Sequence, residues 1–304
     1  MTTATVLAPL RRRTLGSKIA SVAAIAFLLL LVVAALWPQL LTPYDPLENV
    51  LARALQPPSP AHPFGTDQTG RDVLSRIVYG ARYSLGVGLA AAVGAAAIGT
   101  LIGALLGLAP RWLDAVFMRA VEILMAFPDF LTALVVLAVL GAGPVNVAIA
   151  VLIGAIPAYI RVARAEMLTV RQTDYVQAAT LLGRHPLYVL RRHILPATLR
   201  PILVLTTIGI GTSIVAAAGL SFLGLGAQEP DPDWGLMLSS ARNSLSRAWW
   251  LAVFPGLAII LTVLSVSVVS RGFEAGLYRL PKPGTAIDRG GRPAERLVNG
   301  KASS

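Results

Sequence analysis

Residues 123–160 read ILMAFPDFLTALVVLAVLGAGPVNVAIAVLIGAIPAYI, a long apolar run that carries a single charged side chain, Asp129. A helix rises about 1.5 Å per residue and the hydrocarbon layer of a bilayer is about 30 Å thick, so roughly 20 apolar residues cross it once. The run is too long for one crossing. Gly141-Ala142-Gly143-Pro144 interrupts it with two glycines and a proline, the residues that favour a turn. The segment therefore predicts two membrane helices joined by a tight hairpin.

Four further uncharged runs, at 19–41, 83–109, 201–225 and 248–270, bring the expected number of spans to six. The chain is 55% hydrophobic and 13% charged, with a mean hydropathy of +0.69. Soluble domains carry about 25% charged residues, so the composition points to a bilayer as solvent. The net charge of +11 does not indicate nucleic acid, because the basic residues gather between the apolar runs and form no stripe with aromatics. There are no cysteines, which excludes disulfides, thiolate nucleophiles and cysteine metal sites.

Arg11, Arg12, Arg13 and Lys18 precede the first run, as in a signal peptide. The run exceeds the 7–15 residues of a signal core and has no small-residue cleavage site before Trp37-Pro38, so it is expected to stay as an anchor. With the N-terminus inside, 20 of the 26 Lys and Arg fall in inner segments and 6 in the outer segments 42–82 and 226–247. The positive-inside rule then sets both termini in the cytoplasm.

In the second span, Gly99, Gly103 and Gly107 repeat every four residues, with Ala91 and Ala95 continuing the spacing upstream. They line one face and predict a close helix contact, within the subunit in preference to the alternative of an interface between subunits. The span interiors are almost free of ionisable groups. Asp129, beside Pro128, is the exception; it is placed near the inner end of its span and read as a helix-start residue rather than a proton relay. The sequence holds no phosphate-binding G-x-x-x-x-G-K-S/T loop, no H-E-x-x-H and no G-x-S-x-G. His62, His185 and His193 are too scattered to suggest zinc. A transporter of this composition must draw its power from another protein.

The inner loop 161–200 holds the strongest signal. Tyr175, Ala178, Ala179 and Leu182 follow helical i, i+3, i+4, i+7 spacing, and Gly183 suits a left-handed cap. Pro186 suits the first turn of a second short helix that Pro196 is expected to stop. The result is a cytoplasmic helix-turn-helix with exposed small residues, fitted to a groove on a partner or to the membrane surface. Gln177-Ala178-Ala179-x-x-x-Gly183, followed by His193-x-Leu195-Pro196, resembles the EAA loop of bacterial ABC importer permeases. In that family the loop is a coupling helix seated in a cleft of the ATP-hydrolysing subunit. Gln177 stands where the general pattern has Glu, and His193 where it has Ile; His193 is expected to pack within the loop and to bind no metal.

Two outer segments narrow the resemblance. Residues 62–85, which include Gly65, Thr66, Asp67, Gly70, Arg71 and Asp72, resemble the element before the second span of dipeptide, oligopeptide and nickel permeases. Residues 220–238, which include Ser221, Phe222, Gly224, Gly226, Trp234 and Gly235, resemble their outer loop after the fifth span. The extra N-terminal span and long outer segment resemble the C-type subunit of a permease pair. Ala217 stands where relatives often have Glu, and Arg271–Leu277 replaces their acidic ending.

The resemblance implies an all-α membrane protein of six spans, N-in and C-in, in a bacterial plasma membrane. It divides the chain into a tail, anchor and outer strap (1–82), a five-helix permease core (83–270) and a disordered cytoplasmic tail (271–304). It implies no catalytic site or cofactor in this chain. ATP and Mg would be held by two partner ABC ATPase subunits, alongside a homologous B-type permease and an extracytoplasmic substrate-binding protein. The substrate expected is a dipeptide or oligopeptide, with nickel, glutathione or another small solute as the alternative. A stand-alone channel or secondary carrier is the rival class. From the residues themselves, six prolines between Pro43 and Pro63 predict an extended outer strap, and Asp67 and Asp72 are read as scaffold acceptors for backbone or Arg71. The run 228–233 reads equally as a docking loop or a solvated one.

Overall fold

The structure, a computed structural model, describes residues 15–277. Among these, everything regular is helical, and a lone antiparallel bridge joins Thr66 to Asp72. The long helices are α1 (Leu15–Leu36), α2 (Val73–Leu108), α5 (Pro144–Arg171), α8 (Leu195–Phe222) and α10 (Trp250–Leu277). Between them lie α3 (Arg111–Met125), α4 (Asp129–Leu140), α6 (Asp174–Leu181), α7 (Pro186–Val189) and α9 (Trp234–Ala241). The five long helices are each long and apolar enough to cross a bilayer. Exposed Ile19, Val22, Leu29, Leu257, Ile260 and Leu264 on α1 and α10 suit contact with lipid.

The expected straight span over 123–140 is not found. Pro128 disfavours helix at Phe127, so the chain breaks there, and α3 and α4 meet at 93°. The pair nevertheless climbs alongside α5. Asp114 pairs with Arg164, Met118 and Val121 pack with Ile156 and Ile160, Asp129 meets Gly154, and Ala133 and Leu137 reach Val147 and Val151. From 164 to 144, α5 covers about 30 Å, the thickness of the hydrocarbon layer. The bent pair thus makes one crossing, and the total of six is kept. Asp129 is not near the inner end of a span as expected. It sits opposite Gly154, ten residues or about 15 Å from the start of α5, at mid-depth.

The hairpin after α4 forms where expected, with φ of +82° at Gly141 and +145° at Gly143. Asn146 Nδ2 donates to the Leu140 carbonyl at 2.9 Å and closes the turn. Other boundaries move outward. The second span begins at Val73 rather than Tyr83, because Asp72 caps it, and residues 82 and 83 lie within one helix. The last helix runs on to Leu277, and the expected disorder beyond it falls outside the described residues. Pro196 does not stop a short helix. The chain after α7 passes through one π-type turn, Leu190–Ile194, and continues into α8. The widened turn already interrupts the helical hydrogen-bond ladder, so the missing N–H of Pro196 disrupts it little further.

The centre of the fold is the seam between α2 and α5, which run in the same direction. Contacts advance from Gly94 against Leu152, through Gly99 against Tyr159 and Gly103 against Ala163, to Gly107 against Met167. A Cβ at Gly103 would lie 2.5 Å from the Ile160 carbonyl and 2.7 Å from Ala163 Cβ, so the small-residue face is packed inside the subunit. α8 crosses this pair, with Gly88 against Ile214, and α10 lies on α8, where Thr207 and Ser270 hydroxyls meet at 2.6 Å. Gly103→Leu is expected to force the seam apart and lower the stability of the purified protein by about 1–3 kcal/mol. Gly86→Leu, where no atom lies within 4 Å of the added Cβ, should leave the thermal unfolding temperature unchanged.

Candidate functional site

The conserved-type motifs read from the sequence gather at the two opposite ends of the α2–α5 pair. At the inner end, α6 follows α5 after a two-residue turn. Its last turn closes as a Schellman motif: Arg184 N donates to Ala179 O at 3.2 Å and Gly183 N to Thr180 O at 3.0 Å, with Gly183 at φ +73°. The helix is held to the protein by Val176, which packs with Met167, Val170, Val189 and Ile194. Tyr175, Gln177, Ala178 and Leu182 point away from that contact and are exposed, with Ala179 half-buried between the two faces. His193 lies between the Tyr175 ring at 6.1 Å and the Tyr188 ring at 5.9 Å, Leu195 is half-buried, and Pro196 is exposed.

Two features of this end were not drawn from the sequence. Leu181 and Leu182 are 88% and 81% exposed, bulky apolar side chains standing at the tip of a solvent-facing loop. Beside them a groove of about 760 Å³ runs between α6 and α7, lined by Val176, Gln177, Leu181, Arg184, Leu187 and Leu190. The positions flanking the predicted face were the available signal, since Val176 after Tyr175 and Leu181 before Leu182 are apolar too. The loop is tied to the spans by Arg171 Nη1 donating to the Gly107 carbonyl at 2.6 Å, and by the two-pronged ion pair of Arg164 with Asp114.

At the outer end the two family segments form one unit. Asp67 Oδ1 accepts from Thr69 N, Thr69 Oγ1 and Arg71 N, each at 2.9 Å. Asp72 Oδ2 accepts from Ser75 N at 2.8 Å as the cap of α2, and its Oδ1 meets His62 Nδ1 at 2.9 Å. Both acids are scaffold acceptors as expected, but the Arg71 side chain turns elsewhere and donates to Glu229 at 2.7 Å. Arg76, almost fully buried, also faces Glu229 at 3.5 Å and Asp67 at 3.7 Å. Glu229 therefore fastens the strap to the loop after α8. Trp250 Nε1 donates to the Thr66 carbonyl at 3.2 Å, and Gly65 and Gly70 hold φ near +75° where a Cβ would strike the neighbouring chain.

Trp234 is fully buried, and its Nε1 donates to the Ile77 carbonyl at 2.9 Å. Gly235 lies on Ser221, where a Cβ would stand 2.7 Å from Ser221 Cβ; Gly226 packs on the same serine, and Gly224 turns the chain at φ +83°. Phe222 lies under the Arg242 guanidinium at 5.3 Å. In the run 228–233, Glu229 and the buried Asp233, which caps α9, are thus engaged internally. The signal for Glu229 was the excess of buried-segment arginines over local acids, which only the fold pairs.

Residues 99–279 match the family model of the binding-protein-dependent transport system inner membrane component. The chain belongs to this family. Its members are the permeases of ABC importers, so this chain is a transport permease whose family places ATPase activity in separate subunits. It is 44% identical to the glutathione transport system permease protein GsiD of Pectobacterium atrosepticum, over 88% of each chain. It is 40% identical to the di/tripeptide transport system permease protein DppC of Pseudomonas aeruginosa, over 83% of this chain and 85% of that one. A dipeptide transport system permease protein DppC of Alkalihalophilus pseudofirmus is 42% identical over 80% of each. The fold matches a chain of the MetNI methionine ABC transporter in inward-facing conformations, with a TM-score of 0.56 and 16% identity over 67% of this permease and 97% of that chain.

The outer scaffold of the permease yields a direct test. Asp72→Ala removes the α2 cap and the partner of His62, and should lower stability by about 1–2 kcal/mol in thermal unfolding. Asp45→Ala, which alters only an exposed turn, is expected to have no measurable effect.

Proposed function

We propose that this permease imports short peptides of two or three residues into a bacterial cell across the plasma membrane. The observation that carries the reading is its 40–42% identity, over at least 80% of this chain, to relatives named for dipeptide and di/tripeptide transport. The 44% identity to a glutathione permease favours glutathione as the second substrate, and glutathione is itself a tripeptide. The working assembly would pair this C-type subunit with a homologous B-type permease, two ATPase subunits holding ATP and Mg, and an extracytoplasmic binding protein. The excess of inner-segment Lys and Arg supports both termini lying in the cytoplasm.

The inner loop is proposed as the coupling element. Exposed Tyr175, Gln177, Ala178, Leu181 and Leu182 would enter a cleft of an ATPase subunit, the alanines allowing close backbone approach. Gly183, His193, Leu195 and Pro196 would keep the loop in shape. ATP binding can drive the permease outward-open only if it favours one arrangement over the other, and that difference must pass through this contact. Val176 and the Arg171–Gly107 bond supply a mechanical route from α6 into α5 and α2. At the other end, residues 65–72 and 221–235 would present a fixed outer rim to the binding protein.

The decisive experiment is uptake by the complete transporter in proteoliposomes. ATP-dependent, saturable entry of dialanine, competed by glutathione, is expected; entry of nickel but neither peptide would overturn the substrate assignment. Gly183→Trp places a bulky residue at φ +73° and should lower dialanine uptake at least tenfold while the ATPase subunits either dissociate or hydrolyse ATP without transport. Gly183→Asn, which tolerates a left-handed cap, should retain most of the uptake. Normal transport by the Trp variant would remove the coupling role from this loop.

A further inference from the structure

Asp129 is exposed at mid-depth of the membrane-spanning helices, and its side chain has no hydrogen bond or ion pair among the described residues. It does not cap its own helix, since no side-chain cap bond forms at the start of α4. Its side chain is exposed on this subunit, and an ionisable group at this depth faces a water-filled path or a partner group rather than lipid. It borders a cleft of about 80 Å³ between α4, α5 and α8, lined also by Phe130, Val151, Ala155, Thr212 and Ser213. That space takes an ammonium group and a water, and is far too small for a whole peptide.

The cleft holds a second unspent polar group. Ser213 is 4% exposed and lines the cleft, yet its hydroxyl has no hydrogen-bond partner among the described residues. Thr212, its neighbour, donates its own hydroxyl proton to the Gly209 carbonyl at 3.0 Å, leaving the oxygen's lone pairs free to accept. The Asp129 carboxylate and the Ser213 and Thr212 hydroxyls offer three acceptors, and an alkylammonium has three N–H donors. No second titratable side chain lines the cleft, which argues against a proton relay.

We infer that Asp129, with Ser213 and Thr212, forms a station on the translocation pathway that receives the ammonium group of the passing solute. Dipeptides and glutathione both carry a free α-amino group, so this station deepens the peptide reading and rests on it for the identity of the solute. The station itself is a cation site whatever the solute.

The native sequence has no cysteine, so Ser213→Cys introduces a unique thiol into this chain. In the complete transporter, that thiol should react faster with an aminoethyl methanethiosulfonate, whose ammonium keeps three N–H donors, than with a sulfonate-bearing one. Adding Asp129→Asn should reduce the rate ratio about tenfold. Absence of reaction in every nucleotide state, or a ratio indifferent to Asp129, overturns the cation site. In the same vesicles, Asp129→Asn should cut ATP-driven dialanine uptake about tenfold, and Asp129→Glu should restore most of it. Unchanged uptake in the Asn variant overturns a role in transport. If the unaltered transporter imports neither dialanine nor glutathione, the peptide reading fails, while the reagent ratio still decides the cation site.

Discussion

The close approach of α2 and α5 is the contact on which the remaining architecture rests. In a bilayer, apolar side chains gain little by leaving lipid for protein, so helices associate through shape and short-range attraction. Gly94, Gly99, Gly103 and Gly107 let the two backbones nearly touch over four turns. Every other element is referred to this pair. α3 and α4 climb α5, α8 crosses α2, the strap is capped onto the first turn of α2 by Asp72, and the inner loop hangs from the last turn of α5.

The two ends of the pair are built in contrasting ways. The outer end is dense with hydrogen bonds and ion pairs: Arg71 and Arg76 converge on Glu229, Asp72 joins His62 and Ser75, and Trp234 and Trp250 each donate to a backbone carbonyl. The inner end is held by a few apolar contacts, the Arg171–Gly107 bond and the Arg164–Asp114 pair, and leaves large side chains in solvent. A densely bonded outer rim resists deformation, whereas an exposed apolar loop remains incomplete until something covers it. The asymmetry is one of bonding: a hydrogen-bonded end opposite an end that leaves apolar side chains open.

Much of this was legible in the sequence, for identifiable reasons. Long apolar runs announce spans because hydrocarbon admits nothing else, and the glycine repeat announces the seam because it has no other use in a helix. The Gly183 cap could be read from a glycine at the end of an apolar period. What failed was the treatment of proline. Pro128 bends a span by 93° without ending the crossing, and Pro196 follows a π-type turn inside a continuing helix, because neighbouring helices and altered hydrogen-bond registers tolerate both. Depth was misjudged for the same reason, since Asp129 stands at the break and a straight helix would have put it elsewhere. Glu229 left only an indirect trace and Ser213 none, because their significance lies in residues about 150 and 80 positions away.

The continuity of Leu187–Phe222 has a mechanical consequence. These 36 residues form one helical rod of about 54 Å, with one end in the inner loop and the other in the outer turn, where Gly235 rests on Ala218 and Ser221. A rod of that length is a lever arm: a tilt of only about 5° about its inner end would sweep the far end through nearly 5 Å, with no change in its internal bonds. The π-type turn at Leu190–Ile194 breaks the regular hydrogen-bond ladder near the inner end of the rod. Whether the inner end is pushed or twisted, the flexure would be absorbed there, and the stretch beyond it would move as a unit.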